Sequence, residues 1–171
     1  MLKGTKFDFS HEHWLYLAST LPPEGITSIF RTETACERRF KSIRWPDGKK
    51  CPKCLAPDFS KISTRKTFEC AACKHQYSAT SGTILHGSKL SFRQWFLGAE
   101  LVIMANAANK AERLTIQKFA GELKLSYRTA RTLRSKLFDD LKQDAGGLWG
   151  SILCVNEADT NLHLAKYRRK A

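Results

Sequence analysis

Four cysteines in two matched pairs are the residues best placed to do chemistry: Cys51-Pro52-Lys53-Cys54 and Cys70-Ala71-Ala72-Cys73. A gap of two residues lets both sulfurs of a tight turn reach one ion at ~2.3 Å. Two such knuckles, fifteen residues apart, supply the full thiolate set of a tetrahedral structural zinc site. Backbone amides of each turn are expected to hydrogen-bond the sulfurs and offset their charge. A redox CxxC normally comes singly beside a βαβ pattern, which this region lacks. An iron–sulfur centre stays open as an alternative, although the spacing suits a ribbon better. Four thiolates leave no coordination position for a catalytic water. His75, two residues past Cys73, reads as a surface residue, and Cys36 and Cys154 as buried or free thiols. So small a ribbon buries little apolar area, so zinc must supply much of its folding free energy.

The second constellation is cationic. Residues 115–137 read TIQKFAGELKLSYRTARTLRSKL. Ile116, Phe119, Ala120 and Leu123 fall at i, i+3, i+4 and i+7, one apolar stripe with Thr115 as cap. After a turn at Lys124-Leu125, Ser126 can cap a second helix whose Ala130, Leu133 and Leu137 share the inward face. Arg128, Arg131, Thr132 and Ser135 then point outward, flanked by Arg134 and Lys136. No acidic side chain occurs from Leu123 to Phe138. A helix-turn-helix needs this: a small residue where two helices cross, then a second helix offering Arg and short hydroxyls to a major groove. Tyr127, Arg128 and Arg131, Thr132, Arg134, Ser135 and Lys136 are therefore the candidate DNA contacts. A plain helical hairpin with a solvated basic face is the competing reading, and Lys124 stands where such turns often place Gly.

The surrounding elements must position these two groups. Residues 1–43 are expected to form an N-terminal helical segment, with a helix from about Thr32 to Ile43 and Trp45-Pro46-Asp47-Gly48 as a turn. Residues 44–88 form the ribbon, with strand-like stretches at Ser60–Ser63 and Lys66–Glu69. Residues 89–144 are the helix-turn-helix domain, opened by a helix that Ser91 can cap and that carries Phe92, Trp95, Phe96, Ala99, Val102 and Ile103 at helical spacing. Gly146-Gly147 reads as a boundary. Residues 145–171 then hold strand-like character at Ile152–Val155 and a basic tail, Lys166 to Lys170. Trp14, Tyr16 and Trp149 are expected in the core. The expected fold class is small mixed α+β, a four-cysteine zinc ribbon followed by a helical helix-turn-helix domain.

Composition points the same way. Twenty-nine Lys and Arg against sixteen Asp and Glu leave +13 in 171 residues, with a pI near 9.7. Such a surplus favours a polyanion, because each neutralised phosphate releases counterions. No run reaches the ~18 apolar residues of a membrane span, and Asp8, His11, Glu12 and His13 break up any signal-peptide core. A reducing, cytoplasmic and nucleoid-associated location is expected, with thiols as ligands rather than disulfides.

These residues together resemble the N-terminal part of bacterial insertion-sequence transposases of the zinc-ribbon DDE class. The likeness rests on Arg44-Trp45-Pro46-Asp47-Gly48 leading into the first knuckle, then Tyr77-Ser78-Ala79-Thr80-Ser81-Gly82-Thr83-Ile84-Leu85-His86. It continues through Lys89-Leu90, Trp95-Phe96, Ala120, Leu123, Ser126, Thr129-Ala130 and Leu133, covering about residues 30 to 140. The resemblance implies that ribbon and helix-turn-helix bind the element's terminal DNA. It also implies a following catalytic domain with three carboxylates on two metals. The first of these usually stands in a Val-Asp-Glu context, where this chain has Val155-Asn156-Glu157. Asp159 could substitute only in a shifted register, and the residues up to Ala171 leave no room for the other two. The expectation is a DNA-binding protein without catalytic carboxylates, a transcriptional regulator on double-stranded DNA. An inhibitor at element ends, a non-catalytic transposase fragment, and a ribbon that binds a protein partner are the alternatives. Oligomeric state and target site are not set by the sequence.

Overall fold

The computed structural model describes residues 11–108 and 114–155. Packing gathers them into two compact units: Glu37–Ser91, and a second unit that joins the residues before 37 to those from Phe92 onward. The expected division (1–43, 44–88, 89–144, 145–171) follows chain order, whereas these units follow packing.

The second unit is helical. It holds α1 (His11–Thr20), α2 (Ile26–Ile29), the start of α3 (Glu33–Arg44), α4 (Phe92–Ala107), α5 (Ile116–Leu123), α6 (Tyr127–Leu141) and α7 (Gly147–Leu153). Helix α4 packs against α1, α2, α5, α6 and α7. Its buried residues Trp95, Phe96, Gly98, Ala99, Val102 and Ile103 form a stripe wide enough to be covered from several sides. Gly98 lets α5 and α6 come close, since a Cβ there would lie 3.1 Å from Leu137 Cδ1 and 3.3 Å from Phe119 Cζ. Trp95 and Trp149 stack at 5.8 Å and 7°, and Phe96 meets Trp149 edge-on at 5.4 Å. Trp14 is also buried, but Tyr16 is 59% exposed, so the core expectation holds for two of those three.

The helix ends are satisfied from a distance. Glu33 accepts hydrogen bonds from the Phe92 and Arg93 amides at 2.7 and 2.9 Å, serving the orphan donors at the start of α4. His11 and His13 each donate an Nε2–H, to Ala107 O and Leu141 O, both at 2.8 Å. A carbonyl only accepts, so each ring nitrogen must carry the hydrogen.

Two expectations about the last described segment are corrected. Ile152 and Leu153, read as strand-like, finish helix α7. Trp149, Ile152 and Leu153 recur at i, i+3 and i+4 and are all fully buried, so burial against the helical core selects the helical period. The glycine pair is a packed corner rather than a boundary. Gly147 has φ +60, and a Cβ there would lie 2.4 Å from the Asp140 carbonyl. The basic tail at Lys166–Lys170, with Asn156, Glu157 and Asp159, lies outside the described residues.

The first unit carries the rest of α3 and a three-stranded antiparallel sheet, β1 (Phe59–Ile62), β2 (Thr67–Cys70) and β3 (Gln76–Tyr77), in that order. Both expected strands lie within one residue of their observed positions. Phe59 pairs with Cys70, Lys61 with Phe68, and Phe68 with Tyr77. With a side-chain period of two, these five residues share one sheet face. Its core is small: Cys51, Phe68, Cys70 and Tyr77, with Trp45, Ala56 and Cys73 against them. The Arg44 guanidinium donates to the Ser81 carbonyl, tying the Trp-Pro-Asp-Gly turn to the Ser-Gly-Thr segment. The expected fold class is what the structure shows. Among the described residues no helix is long and apolar enough to cross a membrane.

Candidate metal centre and nucleic-acid interface

The ligand atoms of Cys51, Cys54, Cys70 and Cys73 all lie within 4.8 Å of one another. Facing sulfurs are 3.6 Å apart for Cys51 and Cys73, and 3.5 Å for Cys54 and Cys70. A zinc tetrahedron with ~2.3 Å bonds needs sulfur separations of about 3.8 Å, so the cage fits the ion. His75 stands outside it, half-buried and stacked at 6.3 Å on Tyr77, as expected of a non-ligand. Cys36 is buried, Cys154 partly so, and both are free.

The two knuckles are built alike. Cys51 N–H donates to Ala56 O and Cys70 N–H to His75 O, both at 3.0 Å. Leu55 N–H returns to Cys51 O at 2.9 Å, and Lys74 N–H to Cys70 O at 3.0 Å. Leu55 (φ 62) and Lys74 (φ 57) are both left-handed, which turns the chain back after each second cysteine.

Amides also point at sulfur, as expected. Burial raises Cys51, but the Cys54 and Lys53 amides outweigh it and bring the thiol down to about 7. The Cys73 amide foremost, with Ala72, likewise lowers Cys70. Cys54 accepts from the Ala56 amide, which lowers it; the neighbouring Cys73 and Cys70 sulfurs and burial overcome this and push it up to about 12. Four crowded thiolates repel one another, so full ionisation needs a dication among them. Zinc here is structural: the four sulfurs fill its shell, and the metal replaces the core that the ribbon lacks.

The cationic constellation sits on α5 and α6. Thr115 accepts from the Lys118 amide at 3.2 Å, and Ser126 from the Thr129 amide at 3.3 Å, so both expected caps form. Phe119, Ala120 and Leu123 are buried on α5, and Ala130, Leu133 and Leu137 on α6. Tyr127, Arg128, Arg131, Thr132 and Ser135 are exposed, while Arg134 and Lys136 are half-buried beside them. Thr132 donates its hydroxyl to Arg128 O at 3.1 Å. Lys124 adopts the left-handed conformation (φ 53, ψ 47) of a helix C-cap. Leu125 N–H reaches Ala120 O at 2.9 Å and Lys124 N–H reaches Gly121 O at 3.2 Å, a Schellman pair closing α5.

Two supporting residues escaped the sequence reading. Glu33 caps α4 from a separate helix. Asp140, 6% exposed, accepts from the Trp149 amide at 2.8 Å and so starts α7. Neither has a local signal, because each partner lies beyond a turn or far along the chain.

Residues 31–76 match a family described as transposase zinc-ribbon domain. The chain is also 26% identical over 103 residues to an uncharacterized protein in transposable element ISH50 of Halobacterium salinarum. That alignment takes in 58% of this chain but 33% of the relative, so the chain spans about a third of that protein's length. No solved structure matches it. The ribbon is thus of the transposase kind, and the chain is similar to an insertion-element protein over more than half its length.

Proposed function

We propose that this chain is a sequence-specific double-stranded-DNA-binding protein of transposase descent, acting as a transcriptional regulator rather than a strand-cleaving enzyme. The observation that carries this reading is the exposed face of α6. Arg128, Arg131, Thr132 and Ser135 project together from a capped, rigid helix, and no acidic residue interrupts residues 123–138. In a major groove, Arg128 and Arg131 would each present a planar fork to guanine O6 and N7. Thr132 and Ser135 are short enough to let the helix approach. Tyr127, Arg134 and Lys136 fall at the edges, where phosphates run. Metal-ion strand cleavage needs carboxylates, and Asn156 puts a neutral amide where the resembled family has its first. The +13 charge suits the cytoplasmic, nucleoid-associated location that such a role requires.

The test is selection from a random duplex library by the zinc-loaded chain, at two salt concentrations. An enriched motif that Arg128→Ala and Arg131→Ala abolish is expected, at roughly 1–3 kcal/mol each. Weak binding with no motif would turn the reading toward a protein partner. Magnesium-dependent nicking by the purified chain would refute the non-enzymatic part.

A further inference from the structure

The ribbon unit is more basic than the helix-turn-helix beside it in sequence. Residues 37–91 hold twelve Lys and Arg against four Asp and Glu. A fully loaded zinc–thiolate centre, at two negative charges, leaves that surplus largely intact. One part of it is organised rather than scattered. Lys49, half-buried, lays its Nζ 4.4 Å above the Phe68 ring centroid and 5.0 Å from that of Phe59. Trp45 meets Phe68 edge-on at 6.0 Å, and Phe59 meets it at 5.3 Å, so the rings form a continuous shelf. Lys61 projects from that same sheet face, because it pairs with Phe68 in register.

Both lysines stand on that one sheet face, Lys49 over the Phe68 ring and Lys61 opposite Phe68 in register. Lys41 is paired with Glu37 at 2.5 Å. Among the described residues neither Lys49 nor Lys61 has a carboxylate partner. The cation–π contacts fix Lys49 in place, so the rotamer entropy that a flexible lysine loses on binding is already spent. Two ammoniums on one sheet face, neither with a carboxylate partner among the described residues, repel each other until an anion lies between them. They suit a bridging oxyanion.

We propose that Lys49 and Lys61 form a clamp for a backbone phosphate of duplex DNA, held by the Phe59–Phe68 shelf of the ribbon. This rests on the DNA-binding reading of α6 and extends it. The clamp reads no sequence; it anchors. Because both units lie on one chain, a phosphate held by the ribbon raises the effective concentration of α6 at its site, multiplying two modest affinities.

The test is a fluorescence-anisotropy titration of the full zinc-loaded chain with the selected duplex and a scrambled duplex, across a salt series. Lys61→Gln, on an exposed side chain, and Lys49→Gln should each weaken both duplexes equally, by about three- to tenfold. The double variant should lower the slope of log affinity against log salt by about 1 to 2. Each variant is checked for one zinc per chain. Arg128→Ala, run in parallel, should weaken the selected duplex more than the scrambled one. An unchanged salt slope in both lysine variants, with the Arg128→Ala effect intact, would overturn the clamp alone. An equal loss from Lys74→Gln, on the other knuckle, would reduce the effect to net charge and also overturn it. Failure of the native chain to bind either duplex would sink both readings together.

Discussion

Asp140 is nearly excluded from water, yet its carboxylate is the acceptor that begins α7. Burial pushes its pKa above the ordinary value, and the amides of Trp149 and Leu148 pull the other way without cancelling it. The folded state therefore holds the proton more tightly than the unfolded chain does. In the window between the unfolded and the raised folded value, stability must fall as pH rises. An amide in its place accepts the same backbone hydrogen bond without titrating. Asp140→Asn should thus gain on the native protein between about pH 3.5 and about pH 7. Denaturant midpoints of the two proteins at both pH values check this, and a gap that stays constant would contradict it. Asp140→Ala, which leaves the α7 amides without an acceptor, should cost about 1–3 kcal/mol at either pH.

At the scale of elements, the turn between α5 and α6 carries strain at one identified place. Lys124 has a left-handed backbone, which costs a non-glycine residue roughly 1 kcal/mol. Glycine would adopt it freely but would loosen the unfolded chain. Lys124→Gly is expected to stabilise the helical unit by up to about 1 kcal/mol while removing one positive charge from the turn. Thermal unfolding measures the first effect; a loss of stability would show that the lysine side chain packs where the backbone does not reveal it. The legibility of these elements follows a simple physical division. The knuckles, the two caps Thr115 and Ser126, and the buried stripes of α5 and α6 were readable, since each depends on residues within a turn or two of one another. Glu33 on α4, His13 on α6, the Asp140 start of α7 and the Lys49 shelf were not, because each joins residues that only packing brings together. Helix α7 was misread for the same reason. Ile152 to Val155 is apolar enough for either period, and contact with Trp95 and Phe96 through Trp149 decides between them.

For the whole molecule, the two units have separate sources of stability. The helical unit rests on a packed aromatic core, and the ribbon rests on zinc. The four tryptophans are divided accordingly: Trp14, Trp95 and Trp149 lie in the helical unit, and Trp45 packs against the ribbon core. Stripping zinc with a strong chelator should therefore unfold residues of the ribbon and leave most helical circular dichroism in place. The change in tryptophan emission should come from Trp45 alone, so Trp45→Phe should abolish it. Simultaneous loss of the helical signal would show that the helical unit also depends on the metal.

The ribbon interrupts the helical unit, and this sets an order of events in time. Glu33 and Phe92, joined by a 2.7 Å hydrogen bond, bracket the whole inserted stretch. Until the ribbon is ordered, that contact must close a floppy loop of nearly sixty residues, at an entropic cost of about 3–4 kcal/mol. Once metal has compacted the insert, much of that search is over before α1 and α2 find α4. Zinc, bound in the ribbon, then acts as a pacemaker for assembly of the helical core. Refolding of the helical unit should run several-fold faster with zinc present than with chelator, even where the final helical content is the same.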